Sequence, residues 1–318
     1  RLIMVKENNS LAIFYIIAGM TVFSVQDTLV RILSSEVSIL QIMFLRSVIG
    51  LAVLLLFLKI VKIPIIFGSQ YPLLTVIRAI LFMFAFLFYY IGLAYLPYAV
   101  TTALFFTTPF FITILSKIFL KETVGLIRLL AIIFGFLGVV IIANPTIDSF
   151  NIFMIFPILC ALGYSASMII IKMTSDKDSV YSQTFHVYLA TLIFAPLVTY
   201  LGGAFNTSSI NNEILDFVFR SWILNSYIQY ILIFIVGVCV VGGFLLIFNA
   251  YRVGKPFVIA PFEYTILLWS IFYGWLIWDE SVTIRSWVGM AMIVSAGIFL
   301  FYREKINNQE ITTDQLFR

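Results

Sequence analysis

Charge is scarce in this 318-residue chain: 11% of its residues are Asp, Glu, Lys or Arg, against about 25% in a soluble domain. With 62% apolar residues and a mean hydropathy of +1.10, there is too little polar surface to cover a water-soluble fold. Cysteine is equally rare. Cys160 and Cys239 both fall inside apolar runs without C-x-x-C spacing, which argues against a disulfide framework or a metal site and leaves them as packing residues. A single histidine, His186, rules out a histidine cluster. There is no G-x-x-x-x-G-K-[ST] phosphate loop and no G-x-S-x-G elbow, so neither an ATP-driven pump nor another enzyme is expected, and no cofactor or metal is implied. The pI near 9.0 does not mark a nucleic-acid binder, because the basic residues are spread singly instead of clustering on one face.

What is abundant is long apolar sequence. Ten stretches, near 11–32, 38–58, 72–95, 98–118, 125–143, 151–172, 181–201, 228–250, 257–278 and 284–302, each approach the 20 or so residues that a helix needs to cross hydrocarbon about 30 Å thick. The fold class expected is therefore an all-α integral membrane protein with ten transmembrane helices. Leu11–Val30 is longer than a secretory h-region and lacks a small-residue cleavage site, so it reads as a first span; Met4 is the expected native start.

Basic residues fall in every second gap. With a cytoplasmic N-terminus, fourteen Lys and Arg lie inside and only Arg31, Arg220 and Arg285 outside, which predicts both termini in the cytoplasm of a multi-pass protein, with a bacterial inner membrane as its setting. The longest connection, 202–227, carries Ile214, Leu215, Val218, Phe219, Trp222 and Ile223 at helical spacing, as a short helix on the outer surface or a partly ordered loop. A polar cytoplasmic tail fills 303–318.

The two halves echo each other. Leu120-Lys121-Glu122 closes the fourth stretch and Trp278-Asp279-Glu280 the ninth; Ile127-Arg128 opens the fifth and Ile284-Arg285 the tenth; Arg31 precedes Ser38 by seven residues, as Lys172 precedes Ser179. Two five-helix units, 11–143 and 151–302, are implied. Five being odd, they enter the membrane with opposite sense, the inverted-repeat arrangement of carriers that bind solute near the midplane.

Ionisable residues inside the spans cost at least about 2.5 kcal/mol each at mid-bilayer on insertion scales, so they mark a cavity or a partner. Arg46 lies roughly 13 Å into the second stretch, as a contact for a substrate anion or a member of a buried pair. Arg78 is a second anion contact or a residue snorkelling to the interface. Asp27 and Arg31, one turn apart, form an i,i+4 pair, or else Asp27 binds a substrate ammonium or a coupling ion while Gln26 faces elsewhere. Glu263 follows Pro261, whose missing hydrogen bond frees a carbonyl, making an ion or amine site; Pro261 and Pro109 are kinks or hinges. His186 is a proton relay or a structural group. Tyr89, Tyr90, Phe105, Tyr264 and Trp269 form a candidate aromatic wall. Small-residue faces at Ala131, Gly135 and Gly138 and at Gly289, Ala291, Ser295 and Gly297 predict close helix packing, within one chain or across a homodimer.

Together, Phe23-x-x-x-Asp27-x-x-x-Arg31, Phe44-Leu45-Arg46, Arg78-Ala79, Leu96-Pro97, Ala103-Leu104-Phe105-Phe106-x-x-Pro109, Leu120-Lys121-Glu122 and Ala260-Pro261-Phe262-Glu263-Tyr264 resemble the EamA-type members of the drug/metabolite transporter superfamily. The resemblance, over about 11–304, implies an inverted-repeat carrier with a central cavity that works without ATP; such relatives move amino acids, S-adenosylmethionine, riboflavin and drugs. The expectation is a secondary transporter for a small polar solute, an amino acid or related zwitterion or amine, with Asp27, Arg46, Arg78, Tyr89, Phe105, Glu263, Tyr264 and Trp269 at the substrate and Asp27, Glu263 and His186 as coupling groups. An organic-cation or drug exporter, a lipid flippase and a non-transporting membrane scaffold are the alternatives. Small-molecule solute and membrane lipid are the partners expected, and nucleic acid is not.

Overall fold

A computed structural model describes residues 9–64, 67–119, 126–143, 151–174, 178–204, 217–253, 262, 265–296, 298, 299 and 302. All regular structure among them is helical: α1 (Asn9–Ser34), α2 (Ile39–Val61), α3 (Pro72–Tyr95), α4 (Tyr98–Phe105), α5 (Thr108–Phe119), α6 (Leu126–Ala143), a 3-10 turn at Ile152–Met154 leading into α7 (Ile155–Thr174), then α8 (Val180–Ala204), α9 (Tyr227–Val253), α10 (Thr265–Trp278) and α11 (Ile284–Ala296). Five segments are long and apolar enough to cross a membrane: Ser10–Ser34, Ile39–Val61, Pro72–Tyr95, Tyr181–Gly202 and Tyr227–Ile247.

Local chemistry sets the ends. Pro72 opens α3, where its missing N–H is no loss. Leu96, forced extended by Pro97, closes it, and Pro97 then starts α4. Lys62 takes the left-handed conformation that ends α2, and the Ile63 N–H returns to the Leu58 carbonyl at 3.0 Å. Asn151 Oδ1 accepts the Phe153 N–H at 3.0 Å, capping the turn before α7. The stretch expected as one helix over 98–118 is broken at 106–107, with Pro109 in the first turn of α5.

Helices of the two halves interleave: α1 packs on α9, α3 on α7 and α8, α2 on α8 and α9, and α10 on α1 and α4. Hydrocarbon gives little drive for apolar burial, so close backbone approach must hold such helices. A Cβ on Gly19 would stand 2.8 Å from Ile247, one on Gly92 2.8 Å from Pro157, and one on Gly138 2.6 Å from the Gly289 carbonyl. α6 and α11 thus meet within the chain at Gly138 and Gly289 and at Gly135 and Ala296, whereas Ala291 and Ser295 of the expected small face are exposed and Gly297 lies outside the described residues.

The main core gathers Ile39, Ile42, Met43, Tyr90, Leu93 and Cys160 between α1, α2, α3 and α7. Phe217 and Val218, from the long connection, enter it as well. The amphipathic helix expected there is short of that expectation where it is described: only Phe217 and Val218 are helical, 220–226 are not, and Ile214 and Leu215 lie outside the described residues.

Candidate functional site

α1 carries the first polar residues into the interior. Ser24, Gln26, Asp27 and Thr28 are all buried there, and α3 faces them with Tyr89 and Tyr90. The Asp27 carboxylate accepts Gln26 Nε2 at 2.9 Å on one oxygen and the Tyr89 hydroxyl at 3.1 Å on the other. Gln26 Nε2 also reaches the Tyr90 hydroxyl at 3.0 Å, and on its far side that hydroxyl accepts Arg46 Nη1 from α2. A continuous chain therefore runs Tyr89, Asp27, Gln26, Tyr90, Arg46 across three helices. Its two opposite charges do not touch; Gln26 and Tyr90 hold them apart. The Arg46 guanidinium also lies 5.1 Å from the ring centres of Phe86 and Tyr90, and its Nε has no partner.

Aromatic rings adjoin this chain through Tyr89 and Tyr90. Phe82, Phe86, Tyr90, Tyr89, Phe105 and Tyr164 each contact the next, with centroids 4.8–5.9 Å apart, and Tyr164 closes back on Phe82. Three elements, α3, α4 and α7, supply the circuit.

Two sequence-level expectations are corrected here. Arg31 does not pair with Asp27: it pairs with Glu280, which it grips through both carboxylate oxygens at 2.5 and 3.1 Å. Nor does Gln26 face elsewhere, since a flexible amide reaches its neighbour's carboxylate although consecutive Cα–Cβ bonds diverge. The Arg31 clasp has further members: Arg31 Nη2 donates to the Leu96 carbonyl at 3.1 Å, its guanidinium lies 4.1 Å from the Trp278 ring centre, and Glu280 accepts the Tyr98 N–H at 2.9 Å. It is the only ion pair among the described residues, with side chains 10% and 18% exposed. Tyr98 connects clasp to chain, since its hydroxyl donates to the Ser24 carbonyl at 3.2 Å and its carbonyl accepts Thr102 Oγ1, itself 3.5 Å from the Tyr89 hydroxyl.

Arg78 and His186 belong to a separate group. Eleven residues, about 16 Å of helix, separate Arg78 from Tyr89. Arg78 is buried and does not snorkel; its Nη2 donates to the Gln183 carbonyl of α8. Nearby Asp178 accepts from Ser69, from the Gln70 N–H at 2.9 Å and from Thr75 at 3.4 Å. His186 Nδ1 bonds the Ser182 carbonyl at 2.6 Å, so that nitrogen carries the proton. Trp269 sits half-buried on α10, stacked on Tyr273 at 5.8 Å, with its indole N–H unpartnered. Glu263, Tyr264 and Pro261 lie outside the described residues, as does Glu122. No group of three or more metal-ligating side chains occurs among the described residues.

The structure thus joins Asp27, Arg46, Tyr89 and Phe105 and leaves Arg78, His186 and Trp269 apart. Gln26, Ser24, Tyr98 and Thr102 were not foreseen as members. A run of four polar side chains in five positions, 24–28, was the available signal for the first two.

Comparison with known proteins bears on what this arrangement is for. The sequence pattern of the EamA-like transporter family matches residues 10–144 and 151–303. An S-adenosylmethionine uptake transporter of Rickettsia prowazekii (strain Madrid E) is 24% identical over 295 residues, 92% of this chain and 93% of that protein. A pseudopaline exporter of Pseudomonas aeruginosa is 24% identical, over 89% of this chain and 93% of its own length. A riboflavin transporter of Vibrio cholerae is 30% identical over 62% of this chain and 60% of its own. A solved protein structure aligns with a TM-score of 0.60 over 91% of this chain and 95% of that one at 14% identity, a likeness of fold. The three names agree on transport and differ in cargo and direction.

Proposed function

The chain belongs to the EamA-like transporter family and is a multi-pass integral membrane protein that moves a small metabolite; from that premise we propose that it is a secondary active carrier of a zwitterionic solute, an amino acid or related metabolite, working by alternating access. What carries the proposal is the separation of Asp27 from Arg46 by two neutral side chains. Two buried opposite charges that could neutralise each other are instead held apart, and a solute bearing an ammonium and a carboxylate would complete both. Arginine recognises carboxylate by charge-assisted hydrogen bonds, and Asp27 with the surrounding aromatic faces suits an ammonium or other compact cation.

Alternation needs two halves of opposite sense, 11–143 and 151–302 in ten spans. Two features support it. Exchange of α1 with α7, α2 with α8 and α3 with α9 turns the α1–α9 contact into α7–α3 and the α2–α9 contact into α8–α3, and returns α2–α8 to itself. The links between consecutive helices follow suit: Glu36, between α1 and α2, accepts Gln229 at the start of α9, as Asp178, between α7 and α8, accepts the Gln70 N–H just before α3. With both termini cytoplasmic on the distribution of Lys and Arg, the Arg31–Glu280 clasp closes the outer end, and the break at 106–107 beside Pro109 is the hinge within the fourth span.

Uptake into proteoliposomes tests this. S-adenosylmethionine and a set of amino acids are the first cargoes, with fluorescent lipid as the control for a flippase. Asp27→Asn and Arg46→Ala, in correctly inserted protein, should each lower uptake roughly hundredfold, the effect of removing one partner of a buried charge contact. Unchanged uptake in both would remove Asp27 and Arg46 from the pathway. Transport of carboxylate-free cations that ignores Arg46→Ala would favour an organic-cation exporter.

A further inference from the structure

Arg46 is not the only donor without an acceptor at mid-depth. On α8, Tyr188 is 3% exposed and its hydroxyl is fully buried with no hydrogen-bond partner. Its ring packs on α2, where the absence of a side chain at Gly50 admits it: a Cβ there would stand 3.0 Å from the ring Cζ and 3.1 Å from the hydroxyl oxygen. Gly50 is one helical turn beyond Arg46, on the same face of α2. Arg46 has already committed Nη1 to Tyr90, while Nε, on the other edge of its fork, makes no bond. Two buried donors without an acceptor, one from each half of the chain, therefore lie along the same face of α2, one on it and one packed against it a turn further on, and each costs the folded protein stability.

Building on the zwitterion reading above, we propose that Tyr188 is a specificity residue of the same site: its hydroxyl and Arg46 Nε together receive the carboxylate of the solute. A guanidinium repels cations and its N–H groups only donate, so the missing partner is an anionic acceptor. Tyrosine adds what arginine alone lacks, a donor from the opposite half. A carboxylate held by both draws α8 onto α2, where the halves meet.

Tyr188→Phe removes one oxygen atom and leaves the ring against Gly50, so the variant separates recognition from packing. Thermal-shift and equilibrium-binding measurements on purified protein compare two pairs of probes: S-adenosylmethionine with its decarboxylated amine, and L-methionine with 3-(methylsulfanyl)propylamine. Tyr188→Phe is expected to leave the unliganded melting temperature unchanged or raised, since it deletes an unsatisfied buried hydroxyl, and to weaken whichever carboxylate-bearing probe the wild type binds by about tenfold, the worth of one hydrogen bond to a charged group. The carboxylate-free amines should bind both proteins equally. Gly50→Ala, which pushes the hydroxyl aside without removing it, should reproduce the selective loss. Equal binding of a carboxylate probe to both proteins overturns the role of Tyr188 and leaves the zwitterion reading standing. A lowered melting temperature of unliganded Tyr188→Phe, or equal weakening of acid and amine, makes the hydroxyl structural. Wild-type protein that binds the amines alone, or none of the four probes, overturns the zwitterion reading and this site with it.

Discussion

Asp178 illustrates how a single carboxylate is kept charged at the edge of an apolar protein. Burial pushes its carboxyl up, but hydrogen bonds from Ser69, the Gln70 N–H and Thr75, with His186 nearby, outweigh that and hold it below the ordinary carboxylate range. A depressed folded value means that the stabilisation is complete above the unfolded value of roughly 4 and is lost as pH falls through the lower folded one. Asp178→Asn should therefore flatten the acid limb of a melting-temperature profile below about pH 4, with little change in its slope near neutrality; a limb as steep as that of the wild type would show that the titration sits elsewhere. Residues also mark where sequence patterns misled. The i,i+4 rule offered Arg31 to Asp27, and the rule is sound for an isolated helix. In the folded chain Glu280 offers two oxygens instead, and Leu96 a carbonyl, a fuller set than the Asp27 carboxylate, whose two oxygens already accept from Gln26 and Tyr89. No local pattern could announce a partner 249 positions away.

Helix ends were largely legible, because prolines and apolar run lengths act locally. Leu96-Pro97 divides α3 from α4 where expected, and α2 and α3 run close to the stretches 38–58 and 72–95. The break at 106–107 was foreseen only as an interruption at Pro109; that the α4 piece would tie Glu280 at its first N–H to Tyr89 at Thr102 depends on tertiary contacts. The small residues of α6 and Gly289 of α11 were visible too, though not that Ala296, in place of the exposed Ala291 and Ser295, would complete the contact. Gly138 and Gly289 approach through backbone oxygen, which cannot swing aside as a flexible side chain can. Gly138→Ala should thus cost about 1–3 kcal/mol by overpacking. Gly242→Ala, with nothing within 4 Å of the new methyl group, should be neutral or slightly stabilising. Melting temperatures of the two variants check the contrast, and equal effects would mean that the α6–α11 contact yields easily.

Across the whole molecule, hydropathy predicted a helical membrane protein because the bilayer demands it, and residue order carried the family. The composition of the interior was less legible: Asp27, Arg46, Tyr89 and Phe105 meet, whereas Arg78, in an equally apolar stretch, binds backbone instead. Depth along a helix does not reveal which way a side chain turns. If α1 and α10 part during transport, a cysteine pair at positions 31 and 280, with Cys160 and Cys239 replaced, should stop uptake when cross-linked and restore it on reduction. Uptake that persists in the cross-linked protein would mean the two ends stay together throughout the cycle. Arg31 reaches Glu280, Leu96 and the Trp278 ring at once, while Glu280 holds the backbone of Tyr98. One guanidinium so placed works as a coincidence detector: it is satisfied only when several helix tips are together, and in the alternating-access cycle proposed above the departure of any one would loosen its grip on the rest, so that this end would yield all at once and not seam by seam.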